Sequence, residues 1–481
     1  MRTSSPDLWR RCRVRRRLIS LVLFVLPLLG SSRLAVAYSV LTHEQLIDLS
    51  WKSTIVPLLV SRFPSLTPEE LTKAHAYAYG GCVIQDLGYY PFGDAFFSNL
   101  THYVRSGDFV QSLFRNAHTA GELAFAIGAL THYIGDTIGH SHATNPSVAI
   151  EFPRLRAKYG PSVNYAQGKN AHGRVEFAFD INQIVKERMP PSAYLHFIGL
   201  EVPRKQLSAA FYETYGLNIG DILGRYHTTL RTYRFGVRSF LPSFAYAEAL
   251  LHRHHFPLET PGPEIELYER HMAQLHQEVD WHRYRTKPGV RTYLLAGLIV
   301  ILPKIGPIAM LAIKGPTVDT AKRYIESVNL STAALSLALE PFAAPAAPKA
   351  IVTDDEMLET LRRETAKMSA SDAPSSARKG VPPVSHSPTL PAGLVPNRDL
   401  DTGARVVPGG YPLTDETYAK LLAKVTKDPT KPVPAGLKKD ILLYYTDPDA
   451  PISTKRNRKK WAQVKQQLQL LATIATRAEP E

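Results

Sequence analysis

The chain has 481 residues, a length that fits two or three domains or one large domain with extensions. Its formal net charge of +14 falls to +7 beyond residue 37, because residues 1–37 hold eight arginines and one aspartate; this mild excess suits contact with anionic lipid or nucleic acid without requiring it. Of the two cysteines, only Cys82 lies beyond residue 37, which excludes an intramolecular disulfide there, and no C-x-x-C, P-loop or G-x-S-x-G motif occurs.

The N-terminus has the pattern of a secretory signal peptide. Six arginines within residues 10–17 come directly before the apolar stretch LISLVLFVLPLLG (18–30), and Ala35-Val36-Ala37 offers a small-residue cleavage site. A transmembrane anchor is the alternative, but the apolar run is short for a bilayer, which takes about 20 residues. We therefore expect residues 1–37 to be a signal peptide cleaved after Ala37. The mature protein should be secreted or periplasmic, either free or membrane-associated.

Helical periodicity dominates residues 41–258. Residues 67–70, TPEE, combine an N-cap, a first-turn proline and a capping-box glutamate, so they mark the start of a helix. The spacing of apolar residues predicts further helices over 118–138 and 170–187. We predict an all-α fold, with one multi-helix domain over residues 38–340.

The remaining chain is less regular. Residues 293–313, YLLAGLIVILPKIGPIAMLAI, are the most apolar stretch beyond residue 37, and prolines and a glycine at 303–307 divide it into two arms too short to cross a bilayer. A buried helical hairpin and an interfacial membrane contact both fit this pattern. The composition of residues 341–396 predicts a flexible linker region. The pattern of residues 397–481 predicts a small helical C-terminal module.

Two predicted helices each carry a histidine and a carboxylate four residues apart. His132 and Asp136 lie on one helix, and His172 and Glu176 on the other. Residues at i and i+4 project from the same face of a helix, so each pair can reach one ion, and helical bundles build inward-facing multinuclear sites in this way. One such pair is a weak signal. Two pairs within 45 residues, with His142 just past the first helix, indicate a metal site.

Residues upstream add further imidazoles and a carboxylate, namely His43, Asp86 and His102. Nitrogen and oxygen ligands without thiolate suit catalytic zinc, which keeps an open position for water. Several such ions together would neutralise a phosphodiester, generate a hydroxide and hold the leaving oxygen.

With this pattern, residues 38–180 resemble the zinc-dependent phospholipase C family, which is related to the single-strand-specific zinc nucleases. The resemblance rests on Tyr38-Ser39-Val40-Leu41-Thr42-His43, Asp86, His102, His132-x-x-x-Asp136, His142 with Asn145 three residues on, and His172-x-x-x-Glu176. These residues fill all nine ligand positions of that trinuclear family, in order and at compatible spacing. The metal core is expected within residues 38–187.

The resemblance implies three zinc ions, held in three ligand sets. The sets are Asp86, His102, His132 and Asp136 for the first ion; His142, His172 and Glu176 for the second; and His43, Asp136 as a bridge, and the α-amino nitrogen and carbonyl oxygen of Tyr38 for the third. The third set requires cleavage of the signal peptide, because an amide nitrogen cannot serve as the free amine does. The family normally has tryptophan at this N-terminus, and since the ligands are backbone atoms, tyrosine should change the packing more than the chemistry.

Several other polar residues have no position in the ligand pattern: His140, His75, His118 and the cluster 252–255. We interpret His140 as adjacent to the site, or as orienting a ligand, rather than as a ligand itself. The others are interpreted as ordinary helix or surface residues. Glu122 and Asp180 lie on the helices that carry the pairs, and either orient histidines or face solvent.

The leading functional hypothesis is an exported zinc-dependent phosphodiesterase of the phospholipase C type. Zinc-bound hydroxide would attack phospholipid phosphorus, with Asp86 orienting or deprotonating the water. The expected partners are a phospholipid or another phosphodiester and, peripherally, a membrane surface, which the broken apolar segment favours.

Two alternatives remain open, the second of them from a different functional class. One is a single-strand-specific nuclease that uses the same trinuclear site, for which Tyr89, Tyr90 and Tyr103 would offer rings to stack on bases. The other is a non-catalytic envelope protein that binds a partner through residues 341–481.

Overall fold

The computed structural model describes residues 40–252, 259–279, 281–302, 312–343, 395–447, 451 and 458–479. The predicted signal peptide, Tyr38 and nearly all of the predicted linker lie outside these ranges. The predictions made for them therefore stay predictions.

Within these ranges the regular secondary structure is almost entirely helical, and the all-α prediction is confirmed. The α-helices are Val40–Ser50, Val56–Arg62, Pro68–Gly81, Ala95–Tyr103, Ser106–Arg115, Ala120–Ile138, Asn145–Glu151, Pro153–Tyr159, Tyr165–Val185, Ser192–Ile198, Arg204–Tyr215, Ile219–Leu223, Tyr226–Phe235, Leu241–His252, Pro263–Glu278, Trp281–Tyr284, Val290–Ile301, Val318–Ala343, Pro412–Val425, Ala435–Tyr444 and Arg458–Thr473. The other elements are π-helical turns at Trp51–Ile55, Gly139–Thr144 and Gly236–Phe240, a 3-10 helix at Ile84–Tyr89, and the short parallel strands Val433–Pro434 and Thr476–Arg477.

The Pro68–Gly81 helix begins where the sequence predicts. The hydroxyl oxygen of Thr67 accepts a hydrogen bond from the Glu70 amide (3.2 Å), and the Glu70 carboxylate accepts one from the Thr67 amide (2.9 Å). This is the predicted capping box, which satisfies two N–H groups that a helix start would otherwise leave unpaired.

Two glycines let the Pro68–Gly81 helix press directly against the Ala120–Ile138 helix. A Cβ on Gly81 would come within 2.1 Å of the Phe125 carbonyl oxygen, and one on Gly128 within 2.2 Å of the Ala78 carbonyl oxygen. No larger residue fits either position without moving a backbone. Because Gly128 lies one turn before His132, this contact sets how deeply the first His-carboxylate pair lies in the core.

The chain beyond residue 395 packs on the earlier helices. Its buried side chains, including Leu400, Leu421 and Leu437, belong to the same hydrophobic core as those helices. The Ser106 hydroxyl also donates to the carbonyl oxygen of Arg398 at 2.7 Å. The predicted boundary at residue 397 stays a prediction, but the helices that follow it share a core with the helices that carry His132 and His172.

The most apolar segment is described only in part. Its first arm is the Val290–Ile301 helix, residues 303–311 lie outside the described residues, and residues 312–317 are not helical. Ile299 is fully buried, whereas five apolar side chains are between 58% and 76% exposed, namely Val290, Tyr293, Leu294, Val300 and Ile301. The first arm is therefore a surface helix with an exposed apolar face. Among the described residues, no helix is both long enough and apolar enough to cross a membrane.

Candidate metal centre

Five of the predicted ligands come from four helical elements and meet in one buried cluster, called here the first group. It comprises His43 from Val40–Ser50, Asp86 from Ile84–Tyr89, His102 from Ala95–Tyr103, and both His132 and Asp136 from Ala120–Ile138. None of these five residues is more than 2% exposed. The helix spacing at 132 and 136 places both side chains on the core face, as the sequence predicts.

Asp136 lies at the centre of the first group. Its Oδ2 is 3.2 Å from His132 Nε2 and 3.4 Å from His102 Nε2, whereas its Oδ1 is 3.3 Å from His43 Nε2. Asp86 completes one side, with Oδ1 3.4 Å from His102 Nε2. The two oxygens of Asp136 therefore face different imidazoles, which is the geometry a carboxylate needs to bridge two ions.

A bound cation would compensate the buried negative charge of the carboxylates in the first group. All four oxygens of Asp86 and Asp136 are buried, and none accepts a hydrogen bond from a described residue. Burying a carboxylate without such partners is costly unless an opposite charge or a metal compensates. Imidazole nitrogens and carboxylate oxygens without thiolate form the donor set that catalytic zinc uses. The residues of the first group therefore fit zinc.

The electrostatics of the first group keep Asp136 anionic. Burial raises its pKa, but His132, His102 and His43 outweigh burial and hold the pKa well below its usual value. Burial lowers the pKa of His43. Burial also opposes protonation of His102, yet the nearby carboxylates of Asp136 and Asp86, each 3.4 Å from its Nε2, raise that pKa well above the usual value. These shifts favour a protonated His102 beside an ionised Asp136, so the histidine balances the negative charge that a cation would balance when bound.

A second group forms beside the first from His140, His172 and Glu176, all buried. His172 Nδ1 lies 2.6 Å from Glu176 Oε1, as their i, i+4 spacing predicts, and His140 Nε2 lies 3.7 Å from the same oxygen. His140 comes from the π-helical turn Gly139–Thr144, which follows the Ala120–Ile138 helix directly. Three side chains from two elements thus converge on one point.

The pKa values of the three residues in the second group are shifted in different directions. Burial lowers the pKa of His140, but the carboxylate of Glu176, 3.7 Å away, and those of Asp136 and Asp401 raise it overall to about 9. Burial, followed by the charge of His140, lowers the pKa of His172 well below its usual value. Burial raises the pKa of Glu176 well above its usual value. A neutral His172 has a lone pair for a metal ion.

Backbone carbonyls fix the ring orientation of three histidines. A carbonyl oxygen can only accept, so His102 Nδ1 donates to Ser98 O (2.7 Å), His132 Nδ1 to Cys82 O (2.9 Å) and His140 Nδ1 to Leu400 O (2.6 Å). Each ring is thereby held in the tautomer that leaves Nε2 for the cluster. Metal-binding histidines are commonly oriented by such a partner on the other ring nitrogen.

The structure does not bring His142 into the second group. His142 is half-buried, and its Nδ1 lies 3.0 Å from the hydroxyl of Ser141. His140 is the histidine that lies beside His172 and Glu176, and the assignment of His142 as a ligand stays a prediction. A signal for His140 was present in the sequence, because His132, Asp136 and His140 follow one another at i, i+4 and i+8 on one helical face.

Other residues singled out in the sequence have structural roles. Asp180 accepts hydrogen bonds from the Thr42 hydroxyl (2.6 Å) and the Leu41 amide (3.2 Å), which anchors the helix that carries His43. Thr119 caps the start of the Ala120–Ile138 helix by accepting from the Glu122 amide, and the Glu122 carboxylate accepts from the Thr119 hydroxyl. His75 is bound to Asp48 (Nε2 to Oδ1, 3.0 Å), outside both groups.

Two contacts of the site were not predicted, although Asn145 is part of the family pattern. Asn145 accepts from His172 Nε2 at 2.7 Å, and the carbonyl of Leu400, 260 residues beyond His140 in the chain, accepts from His140. Residues 397–481 were predicted to form a separate module, and a separate module is not expected to place Leu400 beside the candidate ligands.

Comparison with known proteins agrees with this geometry. Residues 42–220 match the family model described as zinc dependent phospholipase C. The matched range contains both groups of candidate ligands, whereas Leu400 lies outside it. No curated protein and no solved structure matches the chain.

Proposed function

We propose, from the premise that residues 42–220 belong to the zinc-dependent phospholipase C family, that this chain is a zinc-dependent phosphodiester hydrolase of the phospholipase C type. The observation that carries the proposal is the buried first group, where Asp136 divides its two oxygens between imidazoles on either side. Such a carboxylate suits a centre with more than one ion. Hydrolysis of a phosphodiester is the reaction for which several ions are most useful.

The protein residues divide into holding and positioning roles. His102, His132, Asp86 and Asp136 would hold one zinc ion, and His43 with Asp136 would hold part of another. His140, His172 and Glu176 would hold the remaining ion, in place of the set with His142. When bound, zinc lowers the pKa of its water to about 7 and polarises phosphoryl oxygens. Asp86, whose carboxylate oxygens accept no hydrogen bond from a described residue, would orient or deprotonate the attacking water.

A phospholipid substrate is better supported than single-stranded nucleic acid. The Val290–Ile301 helix exposes a row of apolar side chains that suits contact with a lipid surface. The tyrosines that a nuclease could use to stack bases, Tyr89, Tyr90 and Tyr103, are only 6%, 4% and 1% exposed. Rings this deeply buried offer no face to a base.

The N-terminal part of the proposal concerns residues 1–39. We infer that the chain is exported, that cleavage after Ala37 frees the amine of Tyr38, and that this amine completes the site at His43 and Asp136. Support comes from the signal-peptide pattern. It also comes from the Val40–Ser50 helix, which begins two residues after Tyr38 and brings His43 to Asp136.

A paired assay tests the proposed function. The purified mature chain is assayed on phosphatidylcholine vesicles and on single-stranded DNA, first with zinc, then with a chelator, and then with zinc restored. We expect hydrolysis of the lipid, loss of activity with the chelator, and recovery with zinc. Zinc-dependent cleavage of DNA alone would favour the nuclease, and zinc binding without either reaction would favour a non-catalytic binding protein.

A further inference from the structure

A compact hairpin at residues 398–405 lies against both ligand groups. Its ends are joined by a β-bridge between Arg398 and Arg405. Within it, the Gly403 amide donates to the Asp399 carbonyl oxygen (2.8 Å), and the Asp399 carboxylate accepts from the Asp401 amide (3.1 Å). These internal bonds give the 398–405 hairpin a defined shape, so its main-chain carbonyls have fixed directions.

Two successive carbonyl oxygens of the hairpin reach the second group. The Leu400 carbonyl accepts from His140 Nδ1 at 2.6 Å. The Asp401 carbonyl accepts from Asn145 Nδ2 at 2.8 Å, and the other end of the same amide, Asn145 Oδ1, accepts from His172 Nε2 at 2.7 Å. The hairpin therefore orients one histidine directly and a second through Asn145.

The hairpin is also anchored by side chains and by the first group. The Asp401 carboxylate accepts from the hydroxyls of Tyr103 (2.8 Å) and Tyr411 (2.5 Å). The Leu400 amide donates to the carbonyl oxygen of His102 at 3.1 Å. Asp401 is only 5% exposed. These bonds tie the hairpin to the residues around the ligands.

We propose that the 398–405 hairpin is a positioning element of the metal centre, and that the second group is incomplete without it. Its carbonyl oxygens hold His140 and His172 so that the nitrogens facing Glu176 are the ones left for an ion. Without these acceptors, two buried N–H groups lose their partners, and both rings are free to turn. This inference rests on the proposed zinc function. It assigns a role to the part of the chain beyond the family match at residues 42–220.

A single methyl group tests the hairpin. Gly403 has a φ of +71°, and a Cβ there would come within 2.6 Å of the Thr137 carbonyl oxygen. Gly403→Ala should therefore push the hairpin away from the Ala120–Ile138 helix. Gly216→Ala is the matched control. Gly216 has a φ of +65°, and a Cβ there would lie 2.7 Å from Pro434 Cδ. The control therefore has similar backbone strain and a similar clash with the C-terminal part of the chain. No candidate ligand takes part in that contact.

The measurement is metal retention by the full mature chain. Each protein is loaded with zinc, dialysed against a graded series of chelator concentrations, and analysed for zinc per chain. We expect Gly403→Ala to hold one ion about 10- to 100-fold more weakly than wild type, the usual effect of losing such an orienting partner, while Gly216→Ala keeps the wild-type affinities. With cobalt in place of zinc, the visible spectrum of Gly403→Ala should change and that of Gly216→Ala should not.

A second variant keeps the inference testable if Gly403→Ala fails to fold. Asn145→Leu removes the bridge between His172 and Asp401 and leaves the hairpin sequence intact, and it should weaken the same ion. Wild-type zinc affinity and cobalt spectra in both variants, or in Asn145→Leu if it alone folds, would overturn the inference and leave the proposed function standing. Unchanged metal binding with increased activity in Gly403→Ala would also overturn the inference. The hairpin would then restrict access of the substrate to the site and would not position its ligands. A wild-type chain that binds no zinc would overturn the proposed function together with this inference.

Discussion

His140 Nε2 lies 3.7 Å from Glu176 Oε1, and the His140 and His172 ring centroids are 5.1 Å apart. His142 follows two residues later, yet its Nδ1 lies 3.0 Å from Ser141 Oγ instead. One π-helical turn, Gly139–Thr144, thus directs neighbouring histidines to different surroundings. The geometry favours His140 as the third member of the second group, although the spacing of the family motif assigned that role to His142.

Substitution of each histidine separates the two ligand assignments. His140→Ala should lose one zinc ion per chain and most of the activity, because His140 is buried and faces Glu176. His142→Ala, at a half-buried position outside both groups, should keep its zinc and most of its activity. Zinc content and the rate of phosphatidylcholine hydrolysis are measured for both. Loss of zinc and activity in His142→Ala, but not in His140→Ala, would show that the second ion is held by His142, His172 and Glu176.

The glycine contact behind His132 makes a prediction about stability. Gly128→Ala places a Cβ within 2.2 Å of the Ala78 carbonyl oxygen, so the two helices must separate. The expected cost is about 1–3 kcal/mol, as for other overpacked cores, with a lower melting temperature and weaker zinc binding. Gly297→Ala is the control, because a Cβ there meets no described atom within 4 Å and alanine favours a helix by up to about 1 kcal/mol. A variant at Gly128 as stable as wild type would mean that this contact does not fix the helix.

The exposed face of the Val290–Ile301 helix makes a prediction about lipid surfaces. Leu294→Ser and Val300→Ser change side chains that are both 63% exposed, so folding should be little affected. If these side chains enter a bilayer, each change should weaken binding to phosphatidylcholine vesicles about tenfold, since burying one such side chain contributes roughly 1.5–3 kcal/mol. Hydrolysis of a soluble short-chain substrate should not change. Val407→Ser, at another exposed apolar position, is the control, and equal losses in all three variants would argue against a specific surface.

The N-terminus is tested by a single added residue. A chain that begins Met-Tyr38 has an amide where the trimmed chain has a free amine, so it should fold but bind fewer zinc ions and be much less active. The unperturbed α-amino pKa of about 7.7–8.0 allows zinc to displace that proton near neutral pH. Tyr38→Trp in the trimmed chain should be tolerated, because the proposed ligands are main-chain atoms. Identical zinc content in the trimmed and extended chains would show that the third site does not use Tyr38.

The sequence predicted those parts of the site that depend on local geometry. The i, i+4 pairs at His132 and His172 and the cap at Thr67 follow from helix periodicity, which a sequence displays directly. The choice between His140 and His142 depends on a π-helical turn, which shifts the faces of the helix. The i, i+4, i+8 spacing of His132, Asp136 and His140 pointed to His140, but the spacing of the family pattern pointed to His142. The contact of Leu400 with His140 joins positions 260 residues apart, and nothing in the local pattern of residues 397–481 indicates where that part docks. The family resemblance could not supply it either, because the match ends at residue 220.

The most direct test of the central claim is the zinc content of the purified mature chain, measured beside that of His132→Ala. His132 Nε2 lies 3.2 Å from Asp136 Oδ2, and its Nδ1 is held by the Cys82 carbonyl at 2.9 Å, so its loss should remove an ion from the centre of the first group. We predict three zinc ions per wild-type chain. His132→Ala should retain fewer ions and lose activity by several orders of magnitude, whereas His118→Ala, at an exposed position outside both groups, should match wild type. A zinc-supplied wild-type chain that contains no zinc, or His132→Ala with the full zinc content, would contradict the account.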